Sequence, residues 1–116
     1  MSEKQSSFSI KNWSQDDQPR EKLRDKGKAA LSDAELVAIL IGSGTPKISA
    51  VDLSKEILLA VENNLNELAR CTVQDLMKHK GIGEAKAISI ITALELGRRR
   101  REAEILDRKK ISSSSD

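Results

Sequence analysis

Leu76-Met77-Lys78-His79-Lys80-Gly81-Ile82-Gly83-Glu84-Ala85-Lys86-Ala87 sets a tight two-glycine turn between two helical segments, and the pattern reads as a helix-hairpin-helix. Gly81 and Gly83 are both expected to take backbone angles closed to residues with a Cβ, and without side chains they let another surface come close to their amides. The second helix should begin at Glu84, so its unpaired N-terminal N–H groups point out of the turn beside the glycine amides. Together these donors make an anion site suited to one phosphate. Ile82, between the glycines, would plug the hairpin into the core, and Ala87 is small enough for the two helices to pack closely. The plainer alternative is an αα-hairpin that uses glycine only to turn. A turn alone needs one glycine, whereas this stretch has two around an apolar residue with alanine at a fixed offset.

The chain has 116 residues, enough for one domain that buries about 60–70% of its unfolded surface. Its net charge is only +2, but the charge is unevenly placed. Residues 1–69 carry nine Lys and Arg against eleven Asp and Glu, residues 70–101 eight against three, and residues 102–116 three against four. The positive excess therefore falls on the segment that holds the hairpin, as a phosphate-binding face requires.

A single cysteine, Cys71, excludes an internal disulfide, and with only His79 beside it no side-chain zinc site of ordinary ligand count is expected. Cys71 reads as a small core residue. The longest apolar run, Leu36 to Ile41, is far too short to span a bilayer, and no secretory leader pattern precedes it. The expectation is a soluble, cytoplasmic protein with no membrane contact.

The punctuation of the chain gives its helices. Residues 1–9 read as a mobile N-terminal segment, with Phe8, Ile10 and Trp13 supplying apolar contacts around its end. Pro19 at a first helical position would open a short helix ending near Gly27. Ser32-Asp33-Ala34-Glu35 is a capping box that opens a helix through Ile41. That helix is apolar at Leu36, Val37, Ile39, Leu40 and Ile41, so nearly all its faces should be covered at the centre of a bundle. Gly42-Ser43-Gly44-Thr45-Pro46 ends it; this second glycine turn could also approach a phosphate, but no Gly-Lys-Ser/Thr follows, so a nucleotide P-loop is not supported. Val51, Leu53, Ile57, Leu58 and Val61 keep helical spacing, and Asn63-Asn64 closes them. Leu65, Leu68 and Ala69 suggest a short helix. Thr72 can cap the hairpin's first arm, with Val73, Leu76 and Met77 on it. The second arm should bury Ala87, Ile90, Ile91, Leu94 and Ile88. No alternating strand pattern occurs, so the fold class is all-α: a compact bundle of about five or six short helices containing a helix-hairpin-helix at 72–97. Residues 102–116 read as the helix end and a serine-rich linker.

With these residues in place, the chain resembles the N-terminal domain of the RadC family of bacterial DNA repair-associated proteins, also catalogued as the uncharacterised family UPF0758. The resemblance covers roughly 10–101. It rests on Ile10-Lys11-Asn12-Trp13, Pro19-Arg20-Glu21-Lys22-Leu23, Ala30-Leu31-Ser32-Asp33-Ala34-Glu35-Leu36 leading to Gly44-Thr45, the hairpin, and Leu94-Glu95-Leu96-Gly97-Arg98-Arg99. It implies an all-α hairpin domain that precedes a C-terminal JAB/MPN-type domain, whose His-x-His and Asp ligands suggest a zinc-dependent hydrolase. No such motif occurs here, so the resemblance implies a fragment whose zinc belongs to the missing domain, a partner in cis. His79 departs from hairpins of this type, which usually carry an apolar residue there; it reads as a partly exposed histidine at a helix end.

The function expected on these grounds is non-sequence-specific binding to duplex or branched DNA through its phosphates. The nucleic-acid-binding residues would be Lys80, Gly81, Ile82, Gly83, Glu84, Ala85, Lys86 and Arg98, with main-chain N–H groups on the phosphate and Lys80 and Lys86 adding charge. Such contacts position without reading sequence. Arg98 to Arg101 point around the whole helix, so only one or two could share the hairpin's face. Resemblance to hairpin proteins generally implies a monovalent cation at the turn, and no other cofactor is expected. Phe8 and Trp13 are the only aromatic residues, which argues against a base-stacking platform for single strands. Two other readings belong to different classes. One is a docking module for the missing hydrolase domain or another protein. The other is an enzyme, since the two helix–glycine–helix units resemble those of hairpin-containing DNA glycosylases. Their nucleophilic lysine falls two residues after the second glycine; that position is Ala85, with Lys86 one late, so no catalytic residue is assigned.

Overall fold

The computed structural model describes residues 15–114, with side chains as far as 110. The expected mobile segment 1–9, and Phe8, Ile10 and Trp13, lie outside the described residues. The described residues form helices joined by turns, with no strand, in the order α1 (residues 15–26), a 3-10 turn Lys28–Ala30, α2 (Asp33–Ile41), α3 (Ala50–Ala60), α4 (Leu65–Arg70), α5 (Val73–Met77) and α6 (Glu84–Ser114). The all-α expectation holds.

Local chemistry sets most of the boundaries. α1 is already formed at Gln15, so Pro19 does not open it but sits a turn inside, buried, where its ring costs one backbone hydrogen bond. A buried anchor at Asp16, described below, holds that earlier turn. α1 closes where Gly27 turns to φ +88° and its N–H reaches Leu23 O at 3.0 Å. The capping box of α2 is present in full: Glu35 N–H donates to Ser32 Oγ at 3.2 Å and Ser32 N–H donates to Glu35 Oε1 at 3.0 Å. The Ser32 amide, helped by Lys22, holds the Glu35 carboxyl below the usual carboxylate range against partial burial. Lys22 Nζ, 3.2 Å from Glu35 Oε2, also ties α1 to α2.

Ser49 caps α3 through Asp52 N–H, Asn64 caps α4 through Asn66 and Glu67 N–H, and Thr72 caps α5 through Asp75 N–H. Asp75 returns the favour by accepting Thr72 N–H at 2.9 Å, and these bonds lower its pKa. Aspartate thus does here what the usual Glu or Gln does in a capping box.

The core is assembled from one face of each helix. Leu53, Ile57, Leu68, Leu76, Ala87 and Ile90 are fully or almost fully buried, and Ile82 joins them from the turn before α6. The apolar plug is therefore where the sequence puts it, worth about 2 kcal/mol of burial. α6 also turns Ile91 and Leu94 partly inward, whereas Ile88 is left outside. The expectation that α2 is covered on nearly all faces needs correction. Its buried residues are Ala34, Val37, Ala38 and Ile41, which meet α3 and α6, while Leu36 and Leu40 stay 38% and 37% exposed. Two neighbouring helices cover one broad stripe of a helix and no more. α6 is the longest element at 31 residues, roughly 46 Å at 1.5 Å per residue. From Leu96 to Lys110 every residue on it is exposed, and the helix continues into the serine-rich stretch that composition alone reads as linker.

Candidate functional site

The turn between α5 and α6 is built by short-range hydrogen bonds. Lys78 and His79 N–H donate to Asp75 and Leu76 O at 3.3 and 3.2 Å, and Ile82 N–H closes the turn on His79 O at 3.0 Å. Gly81, at φ +98°, lies in the left-handed region that favours glycine. It also lies against the preceding glycine loop: a Cβ there would stand 2.6 Å from Thr45 Cγ2 and 3.2 Å from Leu53 Cδ2. Gly83 is different. Its φ is not in the left-handed region, and a Cβ built on it meets nothing within 4 Å. The expectation that both glycines are needed for their backbone angles is thus corrected: Gly81 bends and packs, and Gly83 leaves space open.

That space lies over the start of α6. Gly83 O accepts Ala87 N–H at 3.1 Å, so Gly83 is the residue that flanks the helix and would normally cap it. α2, α3, α4 and α5 each have a side-chain cap from Ser32, Ser49, Asn64 and Thr72. Glycine has none to offer. Among the described residues, no acceptor meets the N–H groups of Gly83, Glu84 and Ala85.

The second glycine turn, Gly42 to Ser49, shows the same problem solved from inside. Asp16 is only 6% exposed, and its Oδ2 accepts Gly44 N–H at 3.1 Å while its Oδ1 accepts Ala50 N–H, the first amide of α3, at 2.6 Å. A carboxylate is therefore seated at a glycine turn leading into a helix N-terminus, where the backbone dipoles favour negative charge. Gly44 itself has no room for a Cβ, which would collide with Ile48 O, Ser49 C and Ala50 N. The amide of Gly44 is spent on Asp16 and the turn is filled, so this second turn does not offer its backbone to a phosphate as the sequence suggests. Nothing in the sequence around Asp16 distinguishes it from Asp17; its partners lie 28 and 34 residues away.

The other expected site residues divide into two groups. Lys80, Gly81, Ile82, Gly83, Glu84, Ala85 and Lys86 share the turn and the first turn of α6. Lys80 is exposed and has no ion-pair partner among the described residues. Lys86 is not wholly open: its Nζ donates to Ser43 O at 2.7 Å and Ser43 Oγ at 3.4 Å, clipping α6 to the second glycine turn. Arg98 is separate from them, roughly 21 Å along α6 from Glu84 at 1.5 Å per residue. Its guanidinium bonds Glu95 Oε1 and Oε2 at 2.9 Å each and Glu102 Oε1 at 2.7 Å. Hydrogen bonds from Arg98 and Arg99 hold the Glu95 carboxyl down at about 2. Arg100 and Arg101 have no such carboxylate partner among the described residues. His79 is half-buried in the turn.

Cys71 is partly buried, its thiol pushed up by desolvation and by Asp75 and Glu67 nearby. Among the described residues, no group of three or more His, Cys, Asp or Glu could hold a metal ion, and no helix is long and apolar enough to cross a membrane. The molecule is thus an all-helical domain organised around two glycine turns, one closed by its own carboxylate and one open.

That class has a family. Residues 10–88 match the model described as UPF0758 N-terminal, and the chain belongs to the UPF0758 family. It is 63% identical over 111 residues to a UPF0758 protein of Flavobacterium johnsoniae, covering 96% of this chain and 48% of that relative. It is 43% identical over 108 residues to one from Porphyromonas gingivalis, covering 92% and 48%, and 46% identical over 107 residues to one from Trichlorobacter lovleyi, covering 89% and 46%. The chain spans about half the length of the curated relatives it matches. No solved structure matches it.

Proposed function

We propose that this chain is a non-sequence-specific DNA-binding module that grips the sugar-phosphate backbone in helix-hairpin-helix fashion. The contrast between the two glycine turns carries the reading. At one turn, Asp16 supplies the anion that the start of α3 favours. At the other, the N–H groups of Gly83, Glu84 and Ala85 meet no acceptor among the described residues, a Cβ at Gly83 would meet nothing within 4 Å, and the same turn carries an exposed lysine at 80. A DNA phosphate would take at α6 the role that the carboxylate has at α3. Ile82 contributes from behind, by fixing the turn in the core. Arg98, matched by two carboxylates and remote from the turn, acts through the general field of the basic segment and not through the grip.

Resemblance to hairpin proteins generally would add a monovalent cation at the same turn, held by main-chain oxygens. The resemblance to RadC proteins adds a setting in DNA repair. In it, this module would hold DNA for the metal-dependent hydrolase implied for the remainder of the relatives' length.

Fluorescence anisotropy with an unrelated labelled duplex tests the reading. The expected Kd is ~10⁻⁴–10⁻⁶ M at physiological salt, and three phosphate contacts give a slope of log K against log salt of roughly −3. An affinity indifferent to salt, or no binding at low salt, would reject it and favour docking to another protein.

A further inference from the structure

The two glycine turns lie against each other. Thr45 Cγ2 sits over Gly81, and Ser43 holds the Lys86 ammonium, so the loop from Gly42 to Ser49 is seated on the α5–α6 turn at two points. This draws further cations to the same edge of the molecule. Arg20, on α1, places its Nη2 3.3 Å from where a Gly42 Cβ would be, one residue from Ser43. Chain geometry then puts the Arg20 guanidinium within roughly 14 Å of the Lys86 ammonium. That is at most about four nucleotides along a duplex axis at ~3.4 Å each. The only carboxylate paired with Arg20 among the described residues is Asp17, at a loose 3.7 Å, and the arginine side chain is 53% exposed. Lys47, two residues beyond Thr45, is exposed and has no ion-pair partner among the described residues. By contrast Arg24, one turn further along α1, is matched by Asp25 at 2.8 Å.

We propose that Arg20 and Lys47, together with Lys86, form a second half of the DNA face, holding the backbone next to the phosphate seated at α6. This rests on the DNA-binding reading and extends it across α1 and the second glycine loop. In that loop the Gly44 amide is engaged by Asp16 and those of Thr45, Lys47 and Ile48 by the loop itself, so its contribution comes from side-chain charge. Each cation then acts as one counterion-releasing contact, which gives the proposal a direct readout in the salt dependence.

The experiment is a salt titration of duplex binding by the whole chain and by variants at exposed positions, with thermal melts of the same samples. Arg20→Ala/Lys47→Ala should make the slope shallower by about 1–2 and weaken binding roughly three- to thirtyfold at low salt. Restoring charge with Arg20→Lys in the Lys47→Ala background should recover about half of that change in slope, and Arg24→Ala should leave the slope unaltered. If Lys80→Ala lowers the slope while Arg20→Ala/Lys47→Ala leaves both slope and affinity unchanged, the second half of the face is overturned and the α6 site stands. If the unaltered chain binds no duplex at low salt, both readings are overturned together.

Discussion

Replacing Gly83 by aspartate should move stability and DNA binding in opposite directions. The position accepts a side chain: φ is ordinary, and nothing lies within 4 Å of the added Cβ. An aspartate there can accept the N–H of Ala85 or Lys86 and cap α6, much as Asp16 serves the start of α3. Capping is worth a few tenths of a kcal/mol over glycine. The favourable placement of a negative charge at the helix start adds about 0.3–1 kcal/mol. Loss of glycine's freedom in the unfolded chain adds about 0.4–1 kcal/mol. The sum is about 1–2 kcal/mol, and each kcal/mol raises the melting temperature of a domain this size by roughly 4–8 °C. Meanwhile the carboxylate occupies the donors that a phosphate needs and repels it. DNA affinity should fall about tenfold or more, with the salt slope shallower by about 0.9. Scanning calorimetry reads the first effect and anisotropy the second, while amide shifts at Ala85 and Lys86 report whether the cap has formed. A variant that melts higher, shows the cap, and binds duplex with unchanged affinity and slope would refute the argument, since the α6 amides would then be capped without loss.

Gly81→Ala should destabilise by about 2–5 kcal/mol, combining ~1–2 kcal/mol of left-handed strain with overpacking against Thr45 and Leu53; denaturant melts check it, and a loss below 1 kcal/mol would contradict the packing described. Asp16→Ala should strand the Gly44 and Ala50 amides and cost about 2–4 kcal/mol, visible in the same melts and as faster hydrogen exchange at those two amides. Acidification should loosen the exposed part of α6: with the Glu95 carboxyl depressed to about 2, its ion pairs are intact above the ordinary carboxylate pKa near 4.5 and are lost as pH falls through about 2. Carboxyl-carbon NMR shifts of Glu95 follow this, and a midpoint near 4.5 would show that the Arg98 and Arg99 bonds do not persist in solution.

What the sequence disclosed depended on distance along the chain. The Ser32/Glu35 box, the Thr72 cap and the Ile82 plug are fixed by residues three or fewer apart, or by a short spacing around a turn, so each is visible in a line of text. The start of α1, the filled second turn and the clipped Lys86 come from contacts 28, 34 and 43 residues apart, where no spacing rule operates. The two hairpin glycines illustrate the limit within a single motif. As letters Gly81 and Gly83 are equivalent, and only the backbone angle and the position of Thr45 assign bending to one and openness to the other. α2 shows a related limit: apolar residues at Leu36 and Leu40 announce burial, yet how many neighbours arrive to cover a helix is a property of the assembled bundle.

The long sixth helix gives the open turn a mechanical axis. Its first residues carry the unpaired amides and its last described residue is Ser114, with no break in helical structure between them. A group attached at the Ser114 end would be carried at a set separation and rotational phase relative to whatever those amides hold. Inserting one residue between Leu96 and Lys110 would advance such a group by roughly 1.5 Å and swing it by about 100° around the axis, while seven residues would nearly restore its direction some 10 Å further out. Length in this helix is thus an angular setting as much as a distance.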